Sequence, residues 1–229
     1  MKNLTKILLL AFACLSIAAT AQETFKGTIS YAYKLDGAQV EMLKSMMPER
    51  MDITYSERGM ITETIGGMMA AAAGKIVVDN KNKKAFVLQE TQKTAYMIDE
   101  EDSVKSMEGM DQPKITKTDE TTEILGHTCT KYLAKMNVQG QQMTQVIWAT
   151  SDFKAPKYDF NDQMAKMMQT YFNEGLQNTL PLKIEFTIPQ VGINATLEAT
   201  EIKEKKIADS EFDIPEGFAV KDMSEMQGF

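Results

Sequence analysis

A chain of 229 residues with 32 acidic against 25 basic side chains is long enough to bury one sizeable core. Its net charge of −7 repels phosphate backbones and excludes nucleic acid as an expected partner. Two cysteines and no apolar run of membrane-spanning length exclude a disulfide scaffold and a helical membrane protein.

The chain begins with an address. Lys2 and Lys6 precede an apolar run from Ile7 to Ala18, and Ala19-Thr20-Ala21 supplies an A-x-A cleavage site. Residues 1–21 therefore read as a signal peptide and 22–229 as a single domain, exported to the periplasm or secreted. A lipidated Cys14 is disfavoured, because Ala11-Phe12-Ala13 lacks the usual leucine and the apolar run continues past the cysteine. Cleavage leaves Cys129 alone, so no internal disulfide forms and the core must hold the fold.

Glu23 to Leu35, rich in aromatic and β-branched residues, predicts a first strand. Ala38 to Met47 follows as a short helix with Val40, Leu43 and Met47 on one face and Pro48 beyond its end. Two strands, Arg50 to Ser56 and Met60 to Ile65, meet at Glu57-Arg58-Gly59. The segment Gly66 to Gly74, with four alanines between glycines, suits a connector or a short helix. Lys75 to Val78 and Ala85 to Gln89 form another hairpin, and Thr94 to Ile98 a further strand. The turn Asp79 to Lys84 is not a calcium loop, since Lys81 and Lys83 occupy ligand positions and the required glycine is missing.

Asp99 to Pro113 is acidic and thinly apolar, a solvated connector or a fraying helix. Strands resume at Lys114, and the next stretch holds the only histidine, the only tryptophan and Cys129. One face of the His-Cys strand carries Leu125, His127, Cys129, Lys131 and Leu133, and the other Thr128, Thr130, Tyr132, Ala134 and Met136. After it Phe160, Met164, Met167, Met168, Tyr171 and Phe172 recur at helical spacing as one broad apolar stripe. Leu182 to Ile188 and Gly192 to Ile202 are the last strands, and a tail through Phe212, Ile214 and Phe218 closes the chain. The expected architecture is mainly β (α+β): a curved antiparallel half-barrel of about ten strands, partly covered by two or three helices.

Gly126-x-x-Cys129-x-Lys131-Tyr132, the strand containing Trp148-Ala149-Thr150-Ser151-Asp152-Phe153, and the ending Asp209-Ser210-x-Phe212-x-Ile214-Pro215-x-Gly217-Phe218 resemble an uncharacterised family of exported bacterial envelope proteins. That family is similar to the lipoprotein carriers LolA and LolB. The resemblance implies an open β half-barrel covered by helices that holds acyl chains. The only arginines are Arg50 and Arg58, and neither stands where the carriers' lid-locking arginine would.

Catalysis finds little support. His127 and Cys129 share a strand face, but no glycine-rich elbow or helix start follows to form an oxyanion site. The chain is expected not to be an enzyme and to need no cofactor. Eighteen methionines, some at Met164-x-x-Met167 and Met223-x-x-Met226 spacing, raise Cu(I) binding. The same methionines are expected as packing or as an adaptable apolar lining. The leading reading is a binding protein for an acyl chain or lipid-like ligand, with Phe160, Met164, Met167, Met168, Tyr171, Phe172 and Trp148 as its contacts. The other is an envelope structural or interaction module with a protein partner.

Overall fold

Aromatic and β-branched residues punctuated by short polar turns make most of the described residues strand. The computed structural model describes residues 24–37, 40, 45–99, 111–138, 140–157, 176, 178–188 and 193–226. The strands are β1 (Gly27–Asp36), β2 (Arg50–Tyr55), β3 (Gly59–Ile65), β4 (Lys75–Asp79), β5 (Lys84–Gln89) and β6 (Thr94–Ile98). They continue with β7 (Lys114–Ile124), β8 (His127–Val138), β9 (Gln141–Thr150), β10 (Leu180–Ile188), β11 (Ile193–Glu204) and β12 (Ala219–Asp222). All twelve join one open sheet in the order β12-β6-β5-β4-β3-β2-β1-β11-β10-β9-β8-β7.

Two antiparallel meanders, β1 to β6 and β7 to β11, are thus fused through β1 and β11, which pair from Gly27↔Glu204 to Asp36↔Asn194. A bulge interrupts that pairing between Ser30 and Tyr31. There the Thr200 hydroxyl donates to the Ser30 carbonyl at 3.1 Å, satisfying an acceptor the bulge disturbs. The predicted turn at Glu57-Arg58-Gly59 is present, with the Gly59 carbonyl accepting from Ser56 N at 2.9 Å. Only glycine fits at position 59, because a Cβ there would stand 1.9 Å from the Val78 carbonyl oxygen.

Register decides which residues share a face. Tyr31 and Tyr33 lie opposite Ala199 and Leu197, Leu197 opposite Ile184, Ile184 opposite Ile147, and Ile147 opposite Tyr132. These side chains form one apolar strip across five strands. Toward the first meander the same face continues through Met51, opposite Tyr31, to Thr64, opposite Met51. On the other face of that meander Ile61, Val77, Phe86, Leu88 and Ala95 form a second buried cluster. Phe212 is buried in it, and Ile207, Ile214 and Phe218 pack against it, so the tail covers this face. Mixed strand faces therefore arise because both sides of the sheet are buried, in different places.

A single arginine fastens the tail. The Arg58 side chain is only 10% exposed and lies 2.7 Å from Asp79 Oδ2 and 2.5 Å from Asp213 Oδ1. It also donates to the Asp209 carbonyl and stands 5.6 Å from the Phe212 ring centroid. Burial alone would raise the Asp79 carboxyl. The hydrogen bonds from Arg58 and Asn82, with the charge of Arg58, outweigh this and hold it below the ordinary 3.8. Beyond the clamp, Ala219 N donates to the Lys93 carbonyl at 2.8 Å, and β12 pairs in parallel with β6.

Three sequence expectations need correction. The sheet has twelve strands and not about ten. The clearest omission is β12, whose four residues are all exposed and carry no alternation to betray them. Leu125 is not a strand residue: it and Gly126 form the β7–β8 turn, with φ of 51° and 80°. Instead of two or three covering helices, the described residues hold one seven-residue α-helix, α1 (Gly67–Ala73), and three short 3-10 turns. The helices expected at Ala38–Met47 and Phe160–Phe172 lie wholly or largely outside the described residues.

Replacing Arg58 with Met should cost about 3–5 kcal/mol in urea unfolding, because the Asp79 charge is left buried without a countercharge. Limited proteolysis should then cleave between residues 205 and 218 while wild type resists. Because the folded pKa of Asp79 is depressed, its stabilisation is complete above about pH 4 and is lost as pH falls through that pKa. Asp79→Asn should therefore flatten the acid limb of stability against pH.

Candidate functional site

Two places could carry chemistry: the stretch that concentrates the rare residues, and the apolar strip.

In the first, β8 and the turn after β9 bring His127 Nδ1 to 2.7 Å from Asp152 Oδ2. The imidazole lies 4.9 Å from the Phe153 ring, which in turn meets Phe25 edge-on at 5.3 Å. These contacts tie the β7–β8 turn to Phe25, just before β1. Cys129 is fully buried, and its thiol donates weakly to the His127 carbonyl at 3.6 Å. Burial, with the nearby Asp152 charge, pushes the thiol up to about 11. A nucleophilic cysteine needs the opposite surroundings, exposed and electropositive. Cys129 is a packing group, as free cysteines usually are.

The second place is larger. Tyr31, Leu197, Ile147 and Tyr132 are buried in the strip, whereas Tyr33, Met51, Ile184 and Phe186 are only partly buried beside them. The Tyr31 hydroxyl donates to the Pro181 carbonyl at 2.8 Å, and Tyr33 contacts the Met51 sulfur at 3.6 Å. Burial raises both phenols, Tyr31 most, so they stay neutral. The result is a broad apolar surface whose polar atoms are turned inward to partners.

The predicted contact residues divide. Phe160, Met164, Met167, Met168, Tyr171 and Phe172 lie outside the described residues. Leu176, the first described residue after them, is buried against Tyr132, Ala134, Ile147 and Ala149 on the strip. Trp148 is one residue from Ile147 and so belongs to the opposite face, opposite Lys131 and Lys183. There the Lys131 ammonium stands 5.6 Å from its ring centroid, and its indole N–H donates to Glu185 at 3.2 Å. The sequence did not single out Tyr33, Met51, Ile184 and Phe186. The alternation of β1, β2 and β10 was their only signal, and it became informative only once the pairing was known.

The family model for a domain of unknown function, DUF4412, matches residues 38–218. The chain belongs to this family. No curated protein matches it. Among solved structures, PNGF-II is 14% identical with a TM-score of 0.45, over 86% of this chain but only 31% of the PNGF-II chain. An uncharacterised conserved protein from Thermus thermophilus is 11% identical with a TM-score of 0.48, covering 88% of this chain and 91% of its own. A putative outer membrane lipoprotein-sorting protein domain from Vibrio parahaemolyticus is 11% identical with a TM-score of 0.34, covering 82% and 88%.

In the folded DUF4412 domain the thiolate fraction at pH 8 should be about a hundredfold below that of a free cysteine. Ellman's reagent should modify Cys129 at a correspondingly slower rate, and unfolding in urea should restore rapid reaction.

Proposed function

We propose that this is an exported, non-catalytic binding protein whose apolar strip takes an acyl chain or similar lipid-like molecule. The observation that supports this best is the row of partly buried Met51, Tyr33, Phe186 and Ile184 beside a fully buried core. The side chains are large, apolar and adaptable, and the phenol groups among them are neutral. Twelve methylenes at about 0.8 kcal/mol each give about 10 kcal/mol of gross burial. Association costs reduce this, which leaves room for micromolar affinity without any strong polar anchor. Export rests on the leader read at residues 1–21, which lies outside the described residues. A role in envelope lipid or lipoprotein handling would follow from such binding.

A second reading is an envelope interaction module. Its support is the opposite face of the second meander, where Trp148 sits among Lys131, Lys183 and Glu185. Aromatic residues ringed by polar ones suit protein contact.

Native mass spectrometry of protein taken from the exported fraction should reveal bound lipid, and an apolar fluorophore such as N-phenylnaphthylamine should bind to the delipidated form. Phe186→Asp should weaken fluorophore uptake at least about tenfold, since it places a charge on the strip. Absence of both bound mass and uptake in folded wild-type protein would sink the proposal.

A further inference from the structure

The apolar strip has a polar end. Past Tyr31 and Met51 the same face reaches Thr64, near the end of β3. There the chain turns through Gly66 and Gly67 into α1 and returns through Gly74 to β4. All three glycines have positive φ, at 78°, 68° and 66°. A Cβ on Gly67 would lie 2.0 Å from the Met47 carbonyl oxygen, so the glycines let α1 sit close against its neighbours. Ala70 is buried beneath the helix, whereas Met68 is 70% exposed on its outer side.

Between α1 and the sheet lies a recess of about 210 Å³, lined by Thr64, Gln89, Glu90 and Thr91 with Ala70 above. Thr64 Oγ1 is buried there and has no hydrogen-bond partner. A buried hydroxyl without a partner is unfavourable and uncommon in folded proteins, and it marks a place where another polar group belongs. Gln89 is also buried, beneath Gly74, on the same face as Thr64. The charges select the kind of group. Glu90 lines the recess, whereas Glu63 and Lys75, opposite one another on β3 and β4, project from the other face of the sheet with Ile61 and Val77. A free carboxylate would meet the charge of Glu90, whereas a neutral head bearing hydroxyls could both donate and accept.

We infer that the recess under α1 receives the uncharged, hydroxyl-bearing head group of an amphiphile whose acyl chain lies along Met51, Tyr33 and Phe186, a monoacylglycerol-like ligand. This rests on the lipid-binding reading above and adds to it the class of head group and its location. Thr64 supplies the hydrogen bond that distinguishes the head group, and the charge of Glu90 disfavours fatty acids.

The test is displacement of N-phenylnaphthylamine by 1-dodecanoylglycerol and by dodecanoate, on wild-type protein, Thr64→Val and Glu90→Gln. Wild type should prefer the glyceride about tenfold or more, the equivalent of one well-formed hydrogen bond. Thr64→Val should lose most of that preference while binding the fluorophore as wild type does and melting no lower. Glu90→Gln should bind dodecanoate more tightly. Equal or tighter binding of dodecanoate by wild type, or an unchanged preference in Thr64→Val, would overturn the inference and leave the apolar-strip reading intact. Failure of fluorophore and both amphiphiles to bind would instead remove the reading on which it rests.

Discussion

The pairing of β1 with β11 is the constraint on which the rest of the structure depends. Each meander is local, built from hairpins whose turns lie in the sequence. Nothing local joins β6 to β7 in the sheet: β7 stands at one end of the strand order and β6 next to the last strand at the other. One sheet exists because Gly27 to Asp36 finds Asn194 to Glu204, 158 to 177 residues further along the chain. That contact carries a high entropic cost of closure, repaid by ladder hydrogen bonds and by the burial of Ile29, Tyr31, Leu197 and Ala199. It also lays Tyr31 and Tyr33 beside Leu197, and through it beside Ile184 and Ile147. The apolar strip is therefore a product of the closure.

The two faces are then finished differently. On the first meander the outer cluster around Val77 and Phe86 is covered by the tail, and Arg58 holds that cover by binding Asp79 in the sheet and Asp213 in the tail. Such a buried pair adds little net stability over an apolar substitute, yet removing one partner is costly. The parallel β12 occupies the open edge of β6, while β7 at the other end is charged along much of its length. Both edges are thereby guarded against pairing with other chains.

Much of this was legible in the sequence and some of it was not. The hairpin at Glu57 to Gly59 and the strand at Thr94 to Ile98 announced themselves through turn chemistry and β-propensity. The division of β8 into a Cys129 face and a Tyr132 face also followed from alternation alone. Arg58 did not declare its role, because one partner is 21 residues away and the other 155. Trp148 drew attention as a rare aromatic residue, yet a side chain's face is fixed by register, and register is a tertiary property. For the same reason Tyr33, Met51 and Phe186 could not be grouped before β1 was seen to join β2 and β11. Thr64 was invisible, since an unpartnered hydroxyl is a fact about surroundings and not about residue type.

These pieces make a simple device. Burial keeps Cys129 protonated, which removes the obvious nucleophile, and the strip offers apolar area with neutral phenols in its place. The glycine-flanked α1 roofs a polar recess at one end of that strip. The central claim is that an acyl chain lies on the Tyr33 face. Photo-crosslinking with a dodecanoyl chain bearing a terminal diazirine, followed by peptide mapping, tests it most directly. Adducts should fall on β1, β2 and β10, at Tyr33, Met51 or Phe186 and their neighbours on the strip. Adducts confined to the Trp148 and Lys131 face, or none above the level of unfolded protein, would contradict it.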